Sequence, residues 1–384
     1  MDYLWTALLG LIALTWLVGG IRMLRGMANM PRLANVTPLP ESACPSVSIL
    51  VAARDEAAKL PQALPTLLAQ DYPRYEVIVV NDRSRDATPQ ILDDFARTHK
   101  NLKVVHLAEL PPGWLGKPHA LAAADQYATG DWLVFTDADV RFAPDLLRRA
   151  LALALEKHYD HLTLFGLLDL FGFWEKIATS YWGFGFVRAL EPWRVSNPRS
   201  RRYVGVGTFQ LLRHSTHKAI GGHQRLAREV VDDMKLGKLV KHGGFHSGAA
   251  IAENRLRIRW QEGLRNVIRG LTKNAFAACG FSLSLVIVYV IGAVALDILP
   301  FLAVLFASGT PRTLAGVSVV AALVMRALAA RTLRISPLYA FTHPLGAAIM
   351  CYILLRSALL TLWRGGVLWR DTFYPLDELR KGLV

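Results

Sequence analysis

Cysteine is nearly absent: the 384 residues include 3, Cys44, Cys279 and Cys351, with no CxxC spacing among them. That excludes a zinc ribbon and a disulfide framework, and a reducing compartment is the simpler setting. Charge is also scarce, at 19% of the chain against roughly 25% in ordinary soluble domains. The apolar share of 53% exceeds their roughly 45–50%, which excludes disorder and collagen. Acid is scarcer than base, with 30 Asp plus Glu against 44 Lys plus Arg, a formal +14. A nucleic-acid binder would want those cations on a basic face of a soluble domain. Residues 76–139 are instead rich in Asp and many cations flank apolar runs, so no nucleic-acid partner is expected. The length allows two to three domains of roughly 150 residues each.

The apolar residues are clustered at the two ends of the chain. Residues 3–21 carry no charge and are long enough to cross a bilayer core of roughly 30 Å, and Arg22, Arg25 and Arg32 follow. A cleaved signal peptide would need a basic start and a small-residue cleavage site, but Asp2 precedes the run and Arg22-Met23-Leu24-Arg25 follows it. Residues 1–22 are therefore expected to be an uncleaved transmembrane anchor with the following residues cytoplasmic. Residues 277–363 turn apolar again, in runs 281–307, 313–330 and 338–363, before a basic tail at 364–384. Three crossings would put Arg364, Arg370, Arg380 and Lys381 opposite the cytoplasmic domain, against the positive-inside rule. So one run does not cross or one is a pair, and His343, Pro344 and Gly346 make the last run the candidate for a broken segment. Residues 255–276 interleave Arg257, Arg259, Arg265, Arg269 and Lys273 with Leu256, Ile258, Trp260, Leu264, Ile268 and Leu271, the pattern of an amphipathic helix at the headgroups. The expected setting is a cell inner membrane, multi-pass, with membrane lipids as partners.

Residues 45–254 have the texture of a soluble α/β domain. Short apolar runs at 47–53, 76–81, 102–107 and 131–136 predict strands, and 87–98 and 118–128 predict helices, an alternation that implies a parallel sheet. Pro61 and Pro65 weaken a helix after the first strand. Ligands of such sheets bind beyond the carboxyl ends of the strands. Those ends read Arg54-Asp55-Glu56, Asn81-Asp82-Arg83-Ser84 and Asp137-Ala138-Asp139. So many carboxylates in one crevice require a neutralising cation, and a DxD after a buried strand suits hard Mg²⁺ or Mn²⁺ holding a diphosphate. Lys117, opening a helix, suits a phosphate or is a surface lysine. Asp232-Asp233 is either a helix cap or a source of the base that the strand ends do not supply, with His223 an alternative acid or base.

In order, these residues resemble a known family. Ala52-Ala53-Arg54-Asp55-Glu56, Val80-Asn81-Asp82-Arg83-Ser84, Pro111-Pro112-Gly113-Trp114 with Gly116-Lys117, Asp137-Ala138-Asp139, and Gly221-Gly222-His223 through Asp232-Asp233 are similar to the motif series of family 2 inverting glycosyltransferases of GT-A fold. The likeness is to membrane-anchored members such as ceramide glucosyltransferase and enzymes of hopanoid and carotenoid glycosylation. It implies a Rossmann-like, nucleotide-diphospho-sugar transferase domain plus transmembrane helices. It further implies nucleotide-sugar contacts from Arg54, Glu56, Asp82, Lys117 and Asp137, a metal on Asp139 and Asp137, catalysis by Asp233 or Asp232, and an acceptor or phosphate side with His223, Arg259, Arg269 and Lys273. The implied donor is a nucleoside-diphosphate sugar, UDP-linked, and the implied acceptor a lipid hydroxyl.

Two residues depart from the family pattern. Asp232 stands where the family has Glu, which divides the role of base between Asp232 and Asp233. Leu256 stands where processive polysaccharide synthases have the Gln of QxxRW, which with few membrane runs disfavours a polymer-extruding enzyme. A non-catalytic nucleotide-binding scaffold would have lost the strand-end acids, and they are present. Trp174, Tyr181, Trp182, Phe184, Phe186 and Trp193 either line the path of a lipid or form core.

Overall fold

The computed structural model describes residues 2–384, so only the first residue of the 1–22 anchor lies outside the described residues. Two compact units divide them: one holds residues 30–169, 192–260 and 381–384, the other the segment up to 29 with residues 170–191 and 261–380. First in chain order is α1 (Asp2–Ala28), followed by β1 (Val47–Ala53), α2 (Leu60–Leu68), β2 (Tyr75–Asp82), α3 (Thr88–Thr98), β3 (Leu102–Leu107), α4 (Gly116–Asp125) and β4 (Trp132–Asp137). Next come β5 (Val140–Phe142), α5 (Leu146–Glu156), β6 (His161–Leu168), α6 (Phe173–Leu190), β7 (Gln210–Arg213), α7 (His214–Ala219), α8 (Asp232–His242) and β8 (Ser247–Ile258). The rest is helical in the main: α9 (Gly263–Ala278), α10 (Leu283–Ala293), α11 (Leu299–Phe306), α12 (Gly309–Thr332) and α13 (His343–Arg364).

The first unit is built on one 8-stranded sheet in the order β3-β2-β1-β4-β7-β6-β8-β5. The Val/Ile-rich runs of β1 and β2 are buried on both faces, which is what central strands covered by helices require. Ile49, Val51, Val77 and Val79 face one apolar layer, and Leu50, Ile78 and Val80 the other, because successive side chains alternate. Helix α2 forms despite its prolines: Pro61 sits in the first turn, where its missing N–H had no partner, and only Pro65 is interior. An interior proline costs about 3 kcal/mol, while Leu60, Leu64 and Leu67, each 1% exposed, contribute about 1.5–3 kcal/mol apiece by burial.

The sheet is mixed, not parallel as the sequence pattern implies. β1, β2, β3 and β4 run parallel, but β7 is antiparallel to both β4 and β6, and β5 to β8. β5 and β7 are 3 and 4 residues long, too short to show a period of their own.

Four helical stretches in the other unit are long and apolar enough to cross a membrane: Tyr3–Ala28, Leu283–Phe306, Gly309–Thr332 and Pro337–Arg364. The second is interrupted by a π-helical turn, Val294–Ile298, ahead of Pro300. Pro300 has no N–H to offer the carbonyl of Leu296, and the Trp16 indole donates to that oxygen instead at 2.9 Å. The helix expected from residue 255 begins at Gly263, because residues 255–258 finish β8 with Leu256 and Ile258 in the sheet core. On α6, Tyr181 and Phe184 are buried and Trp174 is exposed, so the aromatic set divides between core and surface.

Candidate active site

β1 pairs with β2 on one side and β4 on the other, the arrangement that opens a crevice beyond the carboxyl ends of parallel strands. The loops there are tied to one another. Asp55 and Arg83 adopt φ of 52° and 56°, a left-handed conformation uncommon outside glycine. The Asp55 amide donates to Ser84 Oγ at 3.0 Å, the Arg85 amide donates to Asp55 Oδ1 at 2.7 Å, and the Glu56 amide donates to Thr88 Oγ1 at 2.9 Å. Asp82 is buried and held by the Arg83 guanidinium at 2.7 and 3.1 Å, with Arg54 at 3.9 Å from the same carboxylate.

The DxD follows β4. Lys117, one residue into α4, donates to Asp137 Oδ1 at 2.7 Å and lies 3.8 Å from Asp232 Oδ2. Burial alone would depress the Lys117 ammonium, but Asp137, then Asp232 and Asp233, outweigh it and hold the group charged. Asp139 pairs with Lys59 at 2.6 Å; burial pushes its carboxyl up against the opposing pull of that lysine.

The antiparallel β7 brings the second acidic pair to this crevice. Such a strand starts where its neighbour ends, so the loop before Gln210 lies over the end of β4, and the Asp137 amide donates to the Gly207 carbonyl at 3.0 Å. The Gly207 amide in turn donates to Asp233 Oδ2 at 2.8 Å, and Asp233 Oδ1 accepts from the Met234 amide at 2.8 Å. Two backbone donors thus fix Asp233 at the start of α8. One small cavity is lined by Lys117, Phe135, Gln210, His223, Asp232 and Asp233, among others.

The structure therefore brings Lys117, Asp137, Asp232, Asp233 and His223 together, with Asp139, Asp82 and Arg54 on the neighbouring strand ends. Glu56 joins through its backbone. Arg259 donates to the Asp169 carbonyl at 2.8 Å, and its own carbonyl accepts from Lys59. Arg269 and Lys273 belong to α9 in the other unit, where Lys273 sits 3.4 Å over the Trp369 ring. Lys59 is absent from the sequence pattern: an isolated lysine before a proline-bearing helix carries no signal, and only the fold carries it to Asp139.

A divalent cation fits the donor set. Asp137 and Asp139 offer hard oxygens from alternate positions, and Gly207 leaves open the space in which a Cβ would sit 2.8 Å from Asp137 Oδ2 and 3.2 Å from Asp233 Oδ2. Among the described residues no group of three or more His, Cys, Asp or Glu side chains gathers as a ligand cage.

The family model described as glycosyl transferase family 2 matches residues 48–168. A beta-monoglucosyldiacylglycerol synthase of Synechocystis sp. is 28% identical over 291 residues, covering 68% of this chain and 59% of the relative. A 4,4'-diaponeurosporenoate glycosyltransferase of Staphylococcus haemolyticus is 23% identical over 248 residues, 60% of each chain. The chain thus spans about three fifths of the length of these relatives. A mannosyltransferase from Pyrobaculum calidifontis, solved with GDP-Man and Mn²⁺, superposes with a TM-score of 0.53 at 20% identity, over 93% of this chain and 99% of that one. Residues 48–168 match the glycosyl transferase family 2 model, and the chain has a Rossmann-like GT-A fold with a curled mixed sheet.

Proposed function

We propose that the protein is a membrane glycosyltransferase that moves one sugar from a nucleoside-diphosphate sugar to a lipid hydroxyl, with inversion. The observation that carries this is the convergence of Lys117, Asp232 and Asp233 around one cavity, with Lys117 paired to the β4 carboxylate Asp137. A phosphate-binding cation and a carboxylate base within one cleft are the two ends of a single displacement.

Asp82, Arg54 and Glu56 serve the nucleoside. Asp137 and Asp139 would hold Mg²⁺ or Mn²⁺, which when bound supplies Lewis-acid stabilisation to the departing diphosphate. Lys117 and Lys59, each paired with one of these aspartates, exchange that partner for diphosphate oxygens as the donor binds. Asp233 takes the proton of the acceptor hydroxyl, whose oxygen attacks the anomeric carbon as the bond to the diphosphate breaks. Its lone pairs are pinned by the Gly207 and Met234 amides, so it meets the acceptor in one orientation. Asp232, 4% exposed and facing Lys117, completes the electrostatics of that helix start.

The lipid acceptor and the UDP-linked donor rest on different supports. Relatives named for diacylglycerol and carotenoid-acid glycosylation, together with four membrane-length helices, favour a lipid. The donor is read as UDP-linked from the family pattern, with GDP-mannose the second reading because of the mannosyltransferase neighbour. The chain also leaves the catalytic unit at Trp260 and re-enters it at Lys381, where Lys235 and Lys238 donate to the Val384 carbonyl at 2.7 and 2.6 Å. A segment that leaves and returns to one face crosses an even number of times, which favours Leu283–Phe306, broken at its π turn, as a run that does not cross. Single cysteines at positions 308 and 371, labelled from outside sealed cells, test this: reaction at 371 in intact cells would reverse the reading.

Purified protein incubated with labelled UDP- and GDP-sugars and diacylglycerol, with Mg²⁺, Mn²⁺ or EDTA, tests the activity. Labelled glycolipid is expected with one donor and none in EDTA; no incorporation from any donor would remove the transferase reading.

A further inference from the structure

The mechanism leaves unused a line of buried polar groups that ends at the same cavity. Helix α4 has Lys117 at its start and Asp125 at its last residue, and α7, which follows β7, reaches that far end. His214 and His217, three apart on α7, present Nε2 and Nδ1 at 3.3 and 3.4 Å from the two oxygens of Asp125. His217 Nε2 lies 3.0 Å from Nδ1 of His223, and His223 lines the cavity with Asp232, Asp233 and Lys117. Both of these histidines are buried, at 0% and 3% exposure. The Gly221-Gly222-His223 turn makes the contact: Gly222 has φ of 58°, and a Cβ there would stand 3.3 Å from the His217 ring. The Phe135 ring, with its centroid 5.1 and 4.5 Å from those of His217 and His223, packs against both.

Proton placement along this line starts from Asp125, while His214 donates from Nδ1 to the Gly130 carbonyl at 3.0 Å. Burial works against the Asp125 carboxylate, but His217, His214 and Lys218 outweigh it and hold the carboxyl below the usual range, so it is an acceptor only. When His217 carries a single ring proton, that proton sits on Nδ1, 3.4 Å from Asp125, and Nε2 turns a lone pair toward His223. His223 must donate from Nδ1. Burial, His217 and Lys117 push His223 well below the ordinary histidine range, so it remains neutral and its Nε2 is left as an acceptor.

We propose that Asp125 and His217 are positioning residues that fix the tautomer of His223, so that its Nε2 accepts a hydrogen bond from a substrate hydroxyl in the Asp233 cavity. The hydroxyl belongs either to the transferred sugar or to the acceptor, so this inference rests on the transferase reading above. A tautomer held by a remote carboxylate orients a hydroxyl without adding a second charge beside Asp232 and Asp233.

The test uses the full chain in detergent micelles, labelled with ¹⁵N-histidine, with the His223 signals assigned by their loss in His223→Gln. Wild-type protein should show His223 protonated at Nδ1, and Asp125→Asn, whose amide can donate to His217, should shift the proton to Nε2. An Nε2–H tautomer in wild type, or no change in Asp125→Asn, overturns the proposal. Asp125→Glu, which keeps the carboxylate, should keep the wild-type tautomer and covers the case in which the asparagine variant does not fold. In kinetics with UDP-glucose or GDP-mannose and diacylglycerol, Asp125→Asn should lower kcat/KM about 10–100-fold, the usual cost of losing a group that orients another. In the His223→Gln background the same change should cost less than about twofold, since coupled residues are non-additive. Equal losses in both backgrounds would also overturn the proposal. A rise in KM for the nucleotide sugar assigns the hydroxyl to the donor, and a rise in KM for diacylglycerol assigns it to the acceptor. If wild type releases no nucleoside diphosphate, the transferase reading fails, while the tautomer measurement still decides whether the array is built.

Discussion

Asp233 in the sheet-bearing unit and Asp297 in the helical unit are both carboxylates in helical turns, and their surroundings differ in kind. Asp297 accepts from the Tyr181 hydroxyl at 2.6 Å and from Arg188 at 3.0 Å, has His343 at 3.3 Å, and is 3% exposed. Side chains from α6 and α13 close over it, and nearby Arg326 is likewise consumed by Ser180, donating to its carbonyl and hydroxyl at 2.6 and 2.9 Å. Asp233 is held by two backbone amides and faces a cavity. An acid enclosed by side-chain donors ties helices together. One pinned by backbone donors, with a cavity before it, is available to a substrate. Burial of acid alone would not separate the two cases.

The comparison can be broken from either side. Replacing Asp233 by Asn should lower kcat about 10²–10⁴-fold with the unfolding temperature and nucleotide binding little changed, measured by turnover and by titration of the nucleoside diphosphate. Turnover like wild type would remove Asp233 from the role of base. Replacing Asp297 by Leu should do the reverse: it leaves the buried Tyr181 hydroxyl and the partly exposed Arg188 without their partner, a loss of about 1–3 kcal/mol of stability, read by thermal unfolding in detergent. Turnover at low temperature should persist in that variant. A stable Asp297→Leu protein with dead chemistry would extend to Asp297 the role proposed for Asp233.

His161 sharpens the contrast, because it is a fully enclosed ionisable group inside the sheet-bearing unit. It is 0% exposed, between Ser247 at 2.8 Å and Gln210 at 3.0 Å, and burial holds it at about 4 against an ordinary 6.5. Between those values the unfolded chain binds the proton and the folded chain does not, so stability falls as pH drops from 6.5 toward 4 and levels off below. His161→Gln should flatten that part of the unfolding profile; an unchanged slope would mean another group sets it.

Much of the sheet-bearing unit was legible because its signals are local. A Val/Ile-rich run followed by a carboxylate marks a strand end in any register, so Asp82, Asp137 and Asp139 could be located from their neighbours alone, and Lys117 from the turn that precedes its helix. Asp233 was visible as an acid at a helix start, but its link to Asp137 was not, since it depends on Gly207 and on β7 running antiparallel, a strand of 4 residues with no period to read. Lys59 on Asp139 and His217 on Asp125 join residues 80 and 92 positions apart and left no pattern in the chain.

The sequence by itself determined the α/β class, the membrane-length runs, the acids at the strand ends and their order along the chain, because hydrophobic period and turn chemistry act over a few residues. Only the tertiary structure decided which acid faces a cavity and which is closed off, and which lysine and histidine stand behind each. Those outcomes follow from strand direction and from the meeting of distant backbone donors, which are properties of the assembled sheet and not of any one segment.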